Sequence, residues 1–426
     1  GLVRKAKCSQ EELSTIFVFN FSVSIVFYFL LYFSAPFIAE FFKEQQLILI
    51  IRVLGLILIV DALSLIQRVN LIRNINFKLQ AKISLAATLM SGIVGICMAY
   101  LDFGVWSLVF QIITRQSLNG LLLWIFSRWH PQIKFSIAAF KGLVGFSSKL
   151  LGTGLLNTLQ NNIYYLVIGR FFSAAGLGYY TRAEQFNAIL TNNLNGSLQR
   201  VFLPVFATIQ EDEVRLKEAF SKVVKTSFFV TFMLLIVMIA IAKPIILILI
   251  GSKWQTSILY LQLLSIGSIF FPLSTLNFNM LKIKNRADII LRIQVIKIFL
   301  TAVVVMAGIW KGIAFMLSVR ILTNFFEAFL NCKYSGELLD YKVKNQLNDI
   351  AKYIIPTLII GLAMYSLTFT ALIPFAMIGL QLIIGLVMFF SIFERKQFTE
   401  YKEIKDVIIQ YLSKDIYAAF RNQFNN

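Results

Sequence analysis

The stretch Thr226–Ile250, TSFFVTFMLLIVMIAIAKPIILILI, contains a single charged residue, Lys243, in an otherwise apolar run. A helix rises about 1.5 Å per residue, so roughly 20 apolar residues cross the ~30 Å of membrane hydrocarbon. This run is long enough to do so. Its apolar residues are continuous, not alternating, which selects a helix over a barrel strand, and an open sheet would leave edge groups unsatisfied in lipid. Outward from this stretch, the same pattern recurs and defines twelve spans: 15–37, 46–66, 83–101, 104–127, 143–169, 185–206, 226–250, 257–281, 288–309, 311–332, 352–372 and 374–393. The span at 185–206 is the least apolar because it is rich in Asn. In the tail 394–426, Ile404, Val407, Ile408, Tyr411 and Leu412 follow helical spacing, so an amphipathic cytoplasmic segment lying along the membrane surface is expected.

Composition agrees with a polytopic chain. Of 426 residues, 58% are hydrophobic and only 14% charged, with a mean hydropathy of +0.76. A net charge of +19 could suggest nucleic acid, but binders of that kind gather Lys and Arg on one soluble face. Here the basic residues lie mostly between apolar blocks. Cys8, Cys97 and Cys332 are far apart and form no CxxC pair, and no His/Cys/Glu set has metal-ligand spacing. His130, the only histidine, sits in a Trp-His-Pro turn and reads as an interfacial structural residue. No phosphate loop is present. No cofactor is called for, and neither catalysis nor nucleic-acid binding is expected.

Loop charge sets an expected orientation. With the N-terminus inside, the cytoplasmic segments hold 27 Lys and Arg, and the outer segments hold five: Lys43, Arg170, Arg182, Lys253 and Lys311. Both termini of a multi-pass protein in the bacterial inner membrane are therefore expected to face the cytoplasm.

The chain also repeats itself weakly. Pro36, Lys43, Arg52-Val53-Leu54, Lys82 and Phe103-Gly104-Val105 recur 208–210 residues later as Pro244, Lys253, Gln262-Leu263-Leu264, Arg292 and Lys311-Gly312-Ile313. Spans one to four thus correspond to spans seven to ten, a parallel repeat of a kind found in transporters. Two spans precede the second copy and none precede the first. We therefore expect two further spans upstream of Gly1, giving 14 in the complete molecule.

The candidate functional residues lie inside the bilayer. Arg52, Arg115, Lys149, Arg200, Lys243, Arg292, Lys297 and Arg320 fall within spans, against only Asp61 and Glu327 as acids. Such charges are costly in hydrocarbon and mark functional sites. Arg200, Lys243 and Arg292 are near enough to span ends to snorkel. Arg115, Lys297 and Arg320 are not, lying about 13–16 Å into their helices at 1.5 Å per residue. Three polar stripes run at helical spacing: Ser107, Gln111, Arg115, Asn119; Lys149, Thr153, Asn157, Asn161, Tyr164; and Arg320, Asn324, Glu327, Asn331. They line either a packed polar interface or a water-filled cavity. The excess of base over acid favours a cationic cavity suited to an anionic ligand. Asp61 and Glu327 are candidate ion-coupling residues, the competing reading being that each pairs with a neighbouring arginine, Glu327 with Arg320 on its own face.

The segments Leu177–Ala183 (LGYYTRA), Val201–Ala207 (VFLPVFA), Gly251–Leu264 (GSKWQTSILYLQLL) and Phe103–Leu108 (FGVWSL), taken in order, resemble the polysaccharide flippases of the multidrug/oligosaccharidyl-lipid/polysaccharide exporter superfamily. The likeness is to the branch named for colanic and teichuronic acid export. It implies an all-α membrane fold of two pseudo-symmetric helical lobes around a central cavity: an incomplete N-terminal lobe at 1–127, a C-terminal lobe at 128–332, two additional spans at 333–393, and the tail at 394–426. It implies a transporter, not an enzyme, that flips an undecaprenyl-diphosphate-linked oligosaccharide by alternating access. Implied partners are that lipid-linked oligosaccharide, membrane lipids, and the polymerase and glycosyltransferases of the same pathway. Arg52, Arg115, Lys149, Lys297 and Arg320 would hold the diphosphate, and Asn157, Asn161, Tyr164, Asn192 and Asn195 would suit sugar hydroxyls. Two other readings stand beside this one. A drug or cation antiporter of the same superfamily would need an acidic cavity, and a membrane-embedded glycan polymerase or glycosyltransferase would need a long outer loop bearing carboxylates.

Overall fold

A computed structural model describes residues 9–73, 76–127, 129–132, 136, 158, 162–396, 398, 400–402 and 405–406. Among them there is no strand. The helices are α1 (Gln10–Phe42), α2 (Leu47–Arg73), α3 (Phe77–Tyr100), α4 (Val105–Phe126), α5 (described over 162–171), α6 (Ala174–Thr208), α7 (Glu213–Leu249), α8 (Thr256–Gly267), α9 (Phe271–Ile283), α10 (Ala287–Lys311), α11 (Ile313–Leu338), α12 (Val343–Ser366) and α13 (Pro374–Lys396). Local signals set their ends. Ser9 and Glu12 form a reciprocal capping box at the start of α1, and Asn76, Ser173 and Asp212 cap α3, α6 and α7. Gly104 and Gly312, at φ 55° and 96°, precede α4 and α11 at matching positions of the repeat, where a side chain would be strained.

Among the described residues nine helices are long and apolar enough to span a membrane, or ten if α8 and α9 are one broken span. Their apolar side chains point outward: Phe33 and Phe37 of α1 are 69% and 73% exposed, which suits lipid and not water. The helix α6 covers the expected Asn-rich span at 185–206 but is not among the nine. Most of the expected span 143–169 and the amphipathic spacing Ile404–Leu412 lie outside the described residues.

One expectation needs correcting. The stretch 257–281 is not one continuous helix: α8 and α9 meet at a 41° bend. Pro272 supplies the reason, since it offers no N–H to the carbonyl of Ser268 and its ring crowds the preceding turn. The corresponding helix of the first repeat, α2, has no proline and runs unbroken.

Pro36 of α1, Pro244 of α7 and Pro356 of α12 also lie inside helices without ending them. Pro36 in α1 leaves the carbonyl of Tyr32 without its helical partner, and Pro244 in α7 does the same to Ala240. Side chains from neighbouring helices fill both gaps. Arg52 Nε donates to Tyr32 O at 3.3 Å, and Gln381 Nε2 donates to Ala240 O at 3.1 Å. Such replacement is what allows proline inside a membrane helix.

The chain forms two compact units, Gly1–Ile163 and Tyr164–Asn426. In the first, α1 packs on α2 and α3 on α4, with α2 against α4. Trp124 Nε1 donates to Leu63 O at 3.0 Å, and Gly120 lets α4 approach Val60 and Ser64. The Trp-His-Pro turn docks on the start of α1, where Gln10 bridges the Trp129 indole and the His130 carbonyl. In the second unit α7 is central: Phe220, Phe228, Phe229 and Phe232 meet Tyr353, Met364 and Phe393, while Ala242 and Ile246 join Tyr180, Leu261 and Met316. Connections expected on one membrane side touch one another there. Lys284 reaches Gln210 O at 3.2 Å and Lys217 pairs with Asp340 at 3.1 Å, while Lys243 reaches Thr368 O at 2.8 Å at the opposite ends.

Candidate functional site

In the first unit, the stripe on α4 divides by depth. Ser107 is buried and returns its hydroxyl to Gly104 O at 2.7 Å. Gln111 lies against Gly95 of α3, where a Cβ would come within 3.1 Å of it. Arg115 and Asn119 instead line a cavity of about 430 Å³ between α2, α3 and α4, together with Asp61, Arg68, Gln80, Ser84, Thr88 and Gln116. Asp61 is the fifteenth residue of α2 and Arg115 the eleventh of α4, and from these mid-helix positions the cavity runs toward the α2–α3 connection, with Arg68 near the end of α2 and Gln80 the fourth residue of α3. Asp61 Oδ1 accepts from Arg68 Nη2 at 3.2 Å and from Gln116 Nε2. Arg115 is exposed to the cavity and makes no hydrogen bond or ion pair with any described residue. Two guanidinium groups therefore face one carboxylate. On the other side of the Asp61–Arg68 pair, α1 and α2 border an open, largely apolar groove of about 610 Å³ lined by Val23, Phe27, Leu30, Leu31, Leu58 and Leu65.

In the second unit, the α11 stripe sends each member to a different helix. Arg320 Nη1 donates to the Tyr180 hydroxyl of α6 at 3.2 Å, and its guanidinium lies 4.3 Å from the centre of the Tyr164 ring of α5. Asn324 Nδ2 donates to Gly267 O at 3.0 Å, where α8 ends at the break. Glu327 pairs with Lys297 of α10 at 2.9 Å, and Asn331 Nδ2 donates to Ser274 Oγ of α9 at 2.9 Å. Beside Arg320, Tyr165 donates its hydroxyl to Glu184 at 2.8 Å and packs edge-on to Tyr180 at 5.4 Å. No carboxylate of a described residue lies within ion-pair distance of Arg320.

The residues expected from sequence are therefore distributed as follows. Arg115 and Asp61 share one cavity, Arg320 and Tyr164 one contact, and Lys297 and Glu327 one ion pair. Glu327 takes Lys297, not Arg320, and Asp61 takes Arg68. Arg52 is engaged by Tyr32, whose ring lies 4.1 Å from its guanidinium carbon, in addition to the carbonyl it satisfies. Lys149, Asn157 and Asn161 lie outside the described residues, and Asn192 is exposed on α6. Sequence reasoning missed Arg68, Gln116, Tyr180 and Glu184. The spacing of Arg68, seven residues after Asp61, and of Gln116, beside Arg115, carried a usable signal. Glu184 reads as a loop acid by sequence but lies inside α6. Among the described residues no group of His, Cys, Asp and Glu could hold a metal ion.

Comparison with known proteins places this geometry in a family. The chain is 28% identical over 292 residues to the teichuronic acid biosynthesis protein TuaB of Bacillus subtilis, covering 68% of this chain and 60% of that one. It is 24% identical over 341 residues to the lipopolysaccharide biosynthesis protein WzxC of Escherichia coli, covering 78% and 69%. The chain thus spans about three fifths of TuaB's length. Its fold is similar to that of the lipid II flippase MurJ in an inward closed conformation, with a TM-score of 0.72 at 14% identity over 92% of this chain and 86% of that one. Residues 1–259 match the model of the family described as "Polysaccharide biosynthesis protein", and to that family of multi-helix membrane proteins the chain belongs.

Proposed function

We propose that the protein flips an undecaprenyl-diphosphate-linked oligosaccharide from the inner to the outer leaflet of the bacterial cytoplasmic membrane, by alternating access and without catalysis. The observation that carries this reading is Arg115 at mid-helix, without a partner among the described residues, beside the Asp61–Arg68 pair in a polar cavity. A guanidinium without an internal counter-ion in a low-dielectric site is stabilised by an anionic ligand, and its fork suits phosphate oxygens. A drug or cation antiporter would gain nothing from a net positive cavity. The polymerase and glycosyltransferases of the same pathway are the partners this reading implies, and both termini would face the cytoplasm. TuaB and WzxC are named for building teichuronic acid and lipopolysaccharide, and MurJ for flipping lipid II, which supports the substrate class.

The direct test is reconstitution of the protein encoded by its complete gene into liposomes holding a fluorescent polyprenyl-diphosphate oligosaccharide. Dithionite reduction of the label should reach the inner-leaflet pool only in vesicles that contain the protein. Equal protection with and without protein would reject the proposal.

A further inference from the structure

We infer that Asp61 is a specificity-determining residue of the α2–α3–α4 cavity, admitting anionic lipids that carry two or more charges at the head and turning away those that carry one. The inference rests on the proposed function, because it concerns the same cavity. Among the described residues that line the cavity, Asp61 is the single carboxylate, and α3 contributes the uncharged Gln80, Ile83, Ser84 and Thr88. Asp61 already occupies Arg68 and the Gln116 amide, which leaves Arg115 as the free cation among the described lining residues. An entering monoanion can therefore engage Arg115 alone, at the cost of approaching a carboxylate. A diphosphate can take Arg115 with one phosphoryl group and compete with Asp61 for Arg68 with the other. Discrimination between ligands of like shape is a difference of affinities, and a built-in repulsive group is the usual means of enlarging it. Bilayers offer singly charged phosphodiester lipids in excess, so a positive cavity lacking such a group would fill with the wrong amphiphile.

The experiment measures equilibrium binding of radiolabelled farnesyl diphosphate and farnesyl methyl phosphate, a phosphodiester carrying one charge, to the purified protein in neutral detergent. Wild type should prefer the diphosphate by about tenfold or more, and Asp61→Asn should bring the two within about threefold, mainly by improving the phosphodiester. Asparagine can still accept from Gln116, so the fold has support. If D61N does not purify as a monodisperse protein, the pair is removed together in D61N/R68Q, where the preference should likewise collapse. An undiminished preference in D61N, or in D61N/R68Q, overturns the role of Asp61 while leaving the cavity an anion site. Failure of wild type to bind either compound overturns the proposed site itself, and with it this inference.

Discussion

Gln381 donates its amide to the carbonyl oxygen of Ala240 at 3.1 Å, the carbonyl that Pro244 leaves unpaired in α7. The same side chain reaches Met364 O at 3.0 Å and is fully buried, so α13 is tied to both α7 and α12 by one amide. Replacing Gln381 by Leu strands the Ala240 acceptor, while Met364 O keeps the Leu367 N–H, and a loss of about 1–3 kcal/mol is expected for the unsatisfied group. A thermal melt in detergent should show a lower midpoint. Pro244→Ala restores the helical donor to Ala240, so P244A/Q381L should be less destabilised than the sum of the single changes. Strict additivity would show that Gln381 does not serve the proline.

Lys297 and Glu327 form an ion pair inside the second unit, with side chains 38% and 22% exposed. Removing one partner leaves the other charge uncompensated in a membrane setting. Glu327→Leu and Lys297→Met should each lower stability by about 2–4 kcal/mol, whereas K297M/E327L should lie closer to wild type. Limited proteolysis or melting in detergent would read the difference. A double variant as unstable as the sum of its parts would point to separate roles for the two residues.

Orientation is tested by labelling. Ser252 and Asn285 are both exposed, at opposite ends of the α8–α9 pair. A cysteine at position 252 should react with an impermeant maleimide in intact cells, and one at position 285 only after permeabilisation. The converse pattern would place both termini outside.

Much of the fold was legible because hydrophobic length acts locally along the chain. The polar faces were legible for the same reason: residues at i, i+4 and i+7 share one side of a helix whatever surrounds it. Partners were not. Lys297 and Glu327 are 30 residues apart on successive helices, and only packing decides that Glu327 meets Lys297 and not Arg320. Arg52 looked like a cavity residue because the vacancy it fills, at Tyr32, is created by Pro36 on another helix. Pro272 lies in the sequence, but high hydropathy on both sides of it concealed the break.

The central claim is that Arg115 meets the charge of the transported lipid. Arg115→Gln keeps length and polarity while removing charge, and it disturbs no hydrogen bond or ion pair with a described residue. The decisive measurement is surface polysaccharide exported by a bacterial strain that lacks its own flippase and carries the complete gene, with membrane abundance of the protein measured in parallel. R115Q should cut export by about tenfold or more at unchanged abundance, and Arg115→Lys should fall between, since a point charge survives without the bidentate fork. Normal export by R115Q at normal abundance would contradict the account.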